Sequence, residues 1–213
     1  KIIIPEAEEI KAGNARDICL ENAKLKAFAV AKNFPNEIVI GADTVVALNG
    51  EILGKPIDKA QNELFLKKLS GSVHEVLTGY AVIFGKKEFF GVEKTQVIFN
   101  DLSETEILDY VSSGDGLDKA GGYAIQNGKF VKNIVGSYDN VVGFPTERIE
   151  KILKELKIKT VGRDFAPNSG WLVVDAFDFM AHIFLETQRG TYAIESLWKD
   201  APEMDLSFLD KKE

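Results

Sequence analysis

The chain has only one cysteine, Cys19, and only two histidines among its 213 residues. A single cysteine excludes an intramolecular disulfide bond, and no group of cysteines and histidines has the spacing of a zinc site. Cys19 lies in a helical pattern, which favours a buried structural thiol over a nucleophile. A disulfide framework and a Cys/His zinc site are therefore excluded.

Basic residues are also fewer than acidic ones, and long apolar runs are missing. Lys and Arg number 26 against 33 Asp and Glu, which gives a net charge of −7. Nonspecific binding to DNA or RNA needs clustered basic residues, so we expect no DNA partner, although a mononucleotide in a locally basic pocket stays open. Without a signal peptide or a transmembrane run, the sequence predicts a cytoplasmic protein with no membrane partner.

Local signals predict an α/β fold. Asn49-Gly50 is a strong hairpin turn, Asp58 is suited to cap a helix, and Ser103 with Glu106 forms a capping-box pattern. The predicted helices span 14–33, 58–69, 103–112 and 146–156. The predicted strands span 2–4, 37–42, 45–48, 51–53, 74–84, 88–99, 123–126 and 129–135. We expect a mixed, curved central sheet with flanking helices and a cleft between the lobes of the sheet.

The segment from Asp118 to Gln126 combines residue types that a buried strand does not use together. It contains Lys119, a pair of glycines, Tyr123 and Gln126 within nine residues. Lysine supplies charge, glycine allows close backbone approach, and glutamine recognises both donors and acceptors. The segment suits a pocket for a small polar ligand, and the alternative is a surface loop that closes with a type II turn.

A carboxylate and a lysine lie near one predicted strand. The apolar run 37–46 is typical of a strand buried on both faces in a parallel or mixed sheet, and it places Asp43 at the carboxyl end of that strand. Lys55 follows in a Gly-Lys-Pro turn. A carboxylate beside a lysine suits a metal and a phosphate held side by side. The alternative is an aspartate that caps a turn and a solvated lysine.

The C-terminal part predicts a small separate segment. Two apolar runs, 171–175 and 180–185, predict a β-hairpin, and 188–198 has roughly helical spacing. Two strands and one helix cannot bury a core alone, so this segment would dock on the preceding domain or on a partner chain.

The motifs between residues 1 and 156 resemble, in order and spacing, the Maf family of nucleoside triphosphate pyrophosphatases. The matching pieces are 41–46, 54–56, 69–71 with His74, 78–79, 118–126, 136–138, 140–143 and Pro145. The Lys-Ala-Gly-Gly-Tyr and Ile-Gln pieces resemble the branch that prefers dTTP and UTP. The resemblance implies metal-dependent hydrolysis between the α and β phosphates, which yields a nucleoside monophosphate and pyrophosphate.

The resemblance also implies catalytic roles for three residues. Asp43 would hold Mg²⁺ or Mn²⁺, or would orient the attacking water. Lys55 would neutralise the phosphate charge that builds in the transition state. Lys26 matches the family's helical lysine that precedes the aspartate strand.

Three further residues are implied in substrate or metal binding. Lys119 and Gln126 would lie near the base and the phosphates. Glu9 is the best match for an early acidic residue that would bind substrate and share the metal with Asp43, while Glu6 and Glu8 stay open as alternatives.

One family motif, a phosphate-binding Ser-Pro-Arg-Arg loop, is not found in the sequence. The chain begins with 1–5, which matches the family's next strand. If no partner supplies the two arginines, we expect weak activity or none, since loss of one preorganised charge donor commonly costs about 10²–10³ in rate.

A second resemblance covers about residues 157–209. The tryptophan, Val-Asp, His-Ile-Phe and Leu-Trp pieces resemble the second half of the ribosomal silencing factor (Iojap) family, which implies binding to the large ribosomal subunit. We therefore predict a Maf-like domain at 1–156 and a partial silencing-factor-like segment at 157–213. Residues 147–156 could serve as a helix in both families.

Three functions follow as hypotheses. The first is a metal-dependent nucleotide pyrophosphatase, the second is a ribosome-associated binding module, and the third is an inactive hybrid that still binds nucleotide. The Maf resemblance also suggests a homodimer.

Overall fold

A computed structural model of the protein describes residues 3–127 and 129–158, together with 162–165, 171–175 and 180–184. The chain divides into two compact units, Lys1–Lys159 and Thr160–Glu213. The predicted domains, 1–156 and 157–213, stay a prediction.

The first unit is an α/β domain with a five-stranded sheet. Its helices are α1 (Ala15–Ala31), α2 (Lys59–Leu69), α3 (Glu104–Ser113), α4 (Tyr138–Val142) and α5 (Thr146–Glu155). Its strands are β1 (Ile38–Leu48), β2 (Glu51–Leu53), β3 (Val73–Phe84), β4 (Lys87–Phe99) and β5 (Val131–Val135), in the order β2-β1-β3-β4-β5. Each of these neighbouring pairs is antiparallel. The flanking helices confirm the predicted fold class.

Local signals account for several boundaries. Asn49 and Gly50 both have positive φ, at 51° and 85°, which is the backbone of the tight turn that joins β1 to β2. The Asp58 side chain accepts a hydrogen bond from the Gln61 backbone and caps α2. Ser103 forms the predicted capping box of α3.

Helix α1 lies unusually close to the sheet at two glycines. A Cβ on Gly41 of β1 would lie 2.6 Å from the carbonyl oxygen of Ala23, and a Cβ on Gly79 of β3 would collide with the carbonyl of Cys19. Asp43 pairs with Gly79 across the two strands. The two glycines therefore bring α1 directly over the middle of β1.

Cys19 is fully buried on the face of α1 that packs on the sheet, as expected for a structural thiol. It packs with Ile18, Val45, Ala47 and Leu77. Burial raises the pKa of its thiol to about 11, which keeps it protonated and weakly nucleophilic at neutral pH.

The opposite face of the sheet carries the largest core. Val46 and Leu48 of β1 alternate with Val45 and Ala47, so they point away from α1. They pack against residues of α2 and α3, and Phe99 lies at the centre of this cluster. Helices therefore cover both faces of β1.

The prediction for β1 was wrong in two respects. The predicted strands 37–42 and 45–48 form one continuous strand, because β1 pairs with β3 from Ile38 to Ala47. Asp43 therefore lies in the middle of a strand and not at its carboxyl end. The strand is also paired on both sides with antiparallel neighbours: a two-residue turn joins it to β2, and α2 lies in the chain between β2 and its other neighbour, β3.

Two further predicted strands are not formed. Ile3 and Ile4 have no regular structure, and Ile4 is exposed; Ile2 lies outside the described residues. The predicted strand 123–126 is replaced by single 3₁₀ turns at Ala120–Gly122 and Ile125–Asn127. Gly121 and Gly122 have left-handed backbone angles, which turn the chain at this point. Strand β5 follows and pairs with β4.

The second unit contains a three-stranded antiparallel sheet. Its strands are β6 (Gly162–Phe165), β7 (Trp171–Asp175) and β8 (Met180–Phe184), in the order β6-β7-β8. The predicted hairpin of β7 and β8 is confirmed, whereas β6 was not predicted. The predicted helix 188–198 lies outside the described residues.

Within the residues that the structure describes, every helix is too short or too polar to cross a membrane. The cytoplasmic location stays a prediction.

Candidate active site

A cavity of about 280 Å³ opens beside the middle of β1. Its charged lining residues, which we call the charged wall, are Lys26, Asp43, Lys55, Asp118 and Lys119. Its large apolar lining residues, which we call the apolar wall, are Val46, Val76, Tyr123, Ile125, Val141 and Val142. The cavity thus combines charged groups suited to phosphates with apolar groups suited to a flat ring.

Lys26 binds two carboxylates at once. Its Nζ lies 2.6 Å from Oδ1 of Asp43 and 2.8 Å from Oε1 of Glu9. Burial acts to lower the pKa of Lys26, but the hydrogen bonds to Asp43 and Glu9 outweigh it and hold the pKa above its ordinary value. The hydrogen bond from Lys26 likewise lowers the pKa of Glu9. Lys26 and Glu9 are therefore charged at neutral pH.

Lys55 and Lys119 supply the other two cations. The Lys119 ammonium lies 2.7 Å from Oδ1 of Asp118, in an exposed pair. Lys55 has no ion pair within the part of the chain that the structure describes, although it lies close enough to Glu9 to help lower the pKa of that carboxyl. Lys55 is therefore free to bind an anion.

A backbone contact links the turn of Lys55 to the loop of Lys119. The Gly121 N–H donates to the Gly54 carbonyl at 3.1 Å, and the buried Asn62 side chain donates to the Gly122 carbonyl at 2.6 Å. Gly121 has a φ of 76°, and a Cβ there would approach Val46 within 3.0 Å. Glycine is needed at this position, and it sets the distance between the two lysines.

The apolar wall is supported by a buried histidine. The Tyr123 hydroxyl lies 2.7 Å from Nε2 of His74, and both rings pack edge-on against Phe99. Burial lowers the pKa of His74 to about 4 and raises the pKa of Tyr123. Both groups are neutral at pH 7, so the wall presents no charge.

A buried polar network holds α4 beside the cavity. The hydroxyls of Thr44 and Thr78 lie 2.9 Å apart, and Thr78 donates to the Asn140 carbonyl at 2.9 Å. The Asn140 side chain donates to the Val76 carbonyl at 3.1 Å and to the Thr95 hydroxyl at 3.0 Å. This network fixes Val141 and Val142 against the cavity.

No role for Thr44 or Asn140 was predicted from the sequence. For Thr44 the available signal was a polar residue within a strongly apolar strand.

The structure brings five of the six predicted site residues together. Asp43, Lys26, Lys55 and Lys119 line the cavity, and Glu9 joins them through Lys26. Among the described residues the lining includes Ile125 but not Gln126, which is half-buried. The roles of these residues stay predictions.

The carboxylates allow a test of whether the site fits a divalent metal. In the described part of the chain, no three His, Cys, Asp or Glu side chains are grouped closely enough to hold a metal ion. Asp43 and Glu9 nevertheless converge on one point, which the Lys26 ammonium fills. Mg²⁺ is usually held by one or two carboxylates plus substrate phosphates, so this pair would fit Mg²⁺ that arrives with a phosphate ligand and displaces the Lys26 ammonium from between the carboxylates.

Two family models match the chain. The model described as Maf-like protein matches residues 1–156, and the model described as ribosomal silencing factor during starvation matches residues 138–213. The second match begins earlier than the predicted residue 157, so both models include 138–156, which contains α4 and α5.

Several relatives carry the name dTTP/UTP pyrophosphatase. The relative from Deinococcus radiodurans is 42% identical over 163 residues, which cover 76% of this chain and 84% of the relative. The relative from Pyrococcus furiosus is 45% identical over 149 residues, which cover 69% and 78%. The relative from Bacillus anthracis is 45% identical over 163 residues, which cover 74% and 85%.

Proposed function

The chain belongs to the family of Maf-like proteins, and from this premise we propose that it hydrolyses nucleoside triphosphates, with dTTP and UTP as its preferred substrates. The products are the nucleoside monophosphate and pyrophosphate. The observation that carries the proposal is the convergence of Lys26, Asp43, Lys55 and Lys119 on one cavity. The names of the relatives support the choice of pyrimidine substrates.

The charge balance of the site supports a divalent cation as cofactor. Three cations, Lys26, Lys55 and Lys119, are matched by three carboxylates, Glu9, Asp43 and Asp118, so the formal sum is 3 − 3 = 0. A triphosphate carries several negative charges, and a neutral site does not compensate them. Asp43 and Glu9 would hold Mg²⁺ or Mn²⁺, which would supply charge neutralisation at the phosphates.

The protein's own residues divide the remaining work. Lys55 and Lys119 bind phosphate oxygens and stabilise the charge that develops as the bond between the α and β phosphates breaks. The Asp43 carboxylate orients the attacking water. Lys26 holds the Asp43 carboxylate in place through their ion pair. The apolar wall packs against the pyrimidine ring and excludes water from it.

Pyrophosphate release tests this proposal. Purified protein is assayed with dTTP, UTP, CTP and GTP in the presence of Mg²⁺ or Mn²⁺, with Asp43→Asn as the inactive comparison. Turnover of dTTP or UTP that depends on Asp43 supports the proposal. Binding of dTTP without turnover, by protein shown to be folded by circular dichroism, would replace it with a nucleotide-binding role.

A second function, ribosome binding, is favoured by the match of residues 138–213 to the silencing-factor model. We propose contact with the large ribosomal subunit through this segment. Co-sedimentation with purified large subunits tests it, and a truncated protein that ends at residue 159 serves as the control. Equal sedimentation of both proteins would contradict a role for the segment.

A further inference from the structure

Asn22 is a buried polar residue that the proposed mechanism does not use. It lies in α1, one turn before Lys26, with 3% of its surface exposed. A buried amide requires hydrogen-bond partners, because leaving it without them costs free energy. The identity of those partners therefore indicates what Asn22 does.

The partners of Asn22 are the backbone of Ile10 and the side chain of Asp43. Its Oδ1 accepts from the Ile10 N–H at 2.7 Å, and its Nδ2 donates to the Ile10 carbonyl at 3.1 Å. The amide thus pairs with both polar groups of one residue, as a neighbouring strand would. Nδ2 also lies 3.4 Å from Oδ2 of Asp43.

This pairing fixes the segment that carries Glu9. Residues 3–12 have no regular secondary structure, so no helix or sheet hydrogen bonds hold them. Glu9 is adjacent to Ile10, and its carboxylate reaches Lys26 while Lys26 reaches Asp43. Asn22 therefore contacts Asp43 directly, and it is connected to Glu9 through the backbone of the adjacent Ile10.

We propose that Asn22 is a positioning residue, which holds Glu9 and Asp43 at Lys26 by binding the Ile10 backbone. The structural part of this proposal stands on the contacts alone, and its kinetic part rests on the proposed pyrophosphatase function. Asn22 does not touch the reacting atoms. Its loss acts through Glu9 and, because Nδ2 lies 3.4 Å from Oδ2 of Asp43, also through Asp43.

Hydrogen exchange at the Ile10 amide tests the structural part without any need for activity. In Asn22→Ala the Ile10 N–H loses its acceptor and exchanges faster by about tenfold or more. Asn22→Ser keeps a small polar side chain without adding charge beside Asp43, but its hydroxyl is one bond shorter than the amide, so the Ile10 N–H should again exchange faster than in the wild type. Asn14→Ala is the matched control, since Asn14 caps the same helix and does not contact Ile10.

A double-mutant cycle with Glu9→Gln tests the kinetic part. Asn22→Ala should lower kcat by about 10- to 100-fold, as loss of a residue that orients a ligand commonly does, with little change in KM. In the Glu9→Gln background the same change should lower kcat by clearly less than it does in the wild type, because the part of the effect that passes through Glu9 is already lost. Asn14→Ala should lower thermal stability and leave kcat unchanged.

The outcomes separate this inference from the proposed function. If the wild-type protein turns over no triphosphate, the pyrophosphatase proposal fails, while the exchange rate of Ile10 still decides the role of Asn22. Unchanged exchange in Asn22→Ala, or additive losses of kcat in the cycle, would overturn the positioning role. If Asn22→Ala fails to fold, Asn22→Ser gives the deciding result.

Discussion

The two walls of the cavity differ in how their side chains are held. In the charged wall Lys26 is paired with Asp43 and Lys119 with Asp118, while Lys55 has no ion pair among the described residues; the side chain of Lys26 is 24% exposed and that of Asp43 14%. The apolar wall is built mainly from buried groups, among them Val76 at 1% and Tyr123 at 5% exposure, whereas Val141 and Val142 are half-buried. The charged wall can exchange an ion pair for a ligand, whereas the apolar wall can change only by repacking.

This difference predicts two classes of variant. Changes in the charged wall should lower kcat, because those residues interact with charge that develops in the transition state. Changes in the apolar wall should raise KM or lower stability, because those residues bind the ground state and the transition state alike. Variants of Asp43 and Lys55 test the charged wall, and variants of His74 and Val142 test the apolar wall and its support.

Asp43→Asn should have the largest effect. Removal of the carboxylate leaves Lys26 without its shorter ion pair and removes the group that orients water, so kcat should fall by about 10³-fold or more. The measurement is pyrophosphate release from dTTP, with Asp109→Asn on the exposed face of α3 as the control. Retained activity in folded Asp43→Asn would show that the site assignment is wrong.

Lys55→Gln should have the next largest effect. Loss of this cation should lower kcat by about 10²-fold, since it removes one preorganised charge donor at the phosphates. Steady-state kinetics with dTTP measure the change, and Lys86→Gln in the exposed turn between β3 and β4 is the control. A rise in KM alone would mean that Lys55 binds the substrate without stabilising the transition state.

His74 should make stability depend on pH. Its pKa is about 4 in the folded protein against 6.5 ordinarily, so the unfolded state binds more protons between these values. The stabilisation is complete above pH 6.5 and is lost as the pH falls towards 4. Between about pH 7.5 and 5 the loss should reach about 2 kcal/mol.

Chemical denaturation of the wild type and His74→Gln at several pH values checks this prediction. Glutamine does not titrate, so the difference in the free energy of unfolding between the two proteins should shrink as the pH falls. A difference that stays constant with pH would mean that His74 is protonated, or exposed, in the folded state.

Val142→Ala should have the smallest effect. It removes two methyl groups from the apolar wall, which should weaken substrate binding by about 1 kcal/mol and therefore raise KM about fivefold. The value of kcat should change by less than about twofold. A larger loss in kcat than in KM would break the division between the two walls.

The sequence predicted elements whose signals are local. The turn at Asn49 and Gly50, the cap at Asp58 and the capping box at Ser103 each depend on a few adjacent residues, and each is confirmed. The strands β3 and β4 were also predicted to within a residue or two, because both are long and flank the turn at Gly85 and Lys86.

The errors arose where distant parts of the chain decide the structure. Asp43 interrupts an apolar run and so resembles the end of a strand, but pairing with β3 carries the strand past it. The role of Gln126 stays a prediction: the cavity lining includes Tyr123 and Ile125, which follow the left-handed Gly121 and Gly122, but does not include Gln126.

Asn22 was missed although a local signal was present. It lies four residues before Lys26, on the buried face of α1 with Ile18, Cys19 and Ala23. A polar residue at that helical spacing indicates a buried partner. The partner, Ile10, could not be predicted, because the segment that contains it has no regular structure.

The identity of the bond that breaks tests the central claim most directly. Phosphorus NMR of a reaction containing the wild-type protein, dTTP and Mg²⁺ distinguishes the two hydrolytic routes by their products. The account predicts dTMP and pyrophosphate in equal amounts, with no dTDP. Accumulation of dTDP and inorganic phosphate would contradict it, because the cavity would then direct hydrolysis to the bond between the β and γ phosphates.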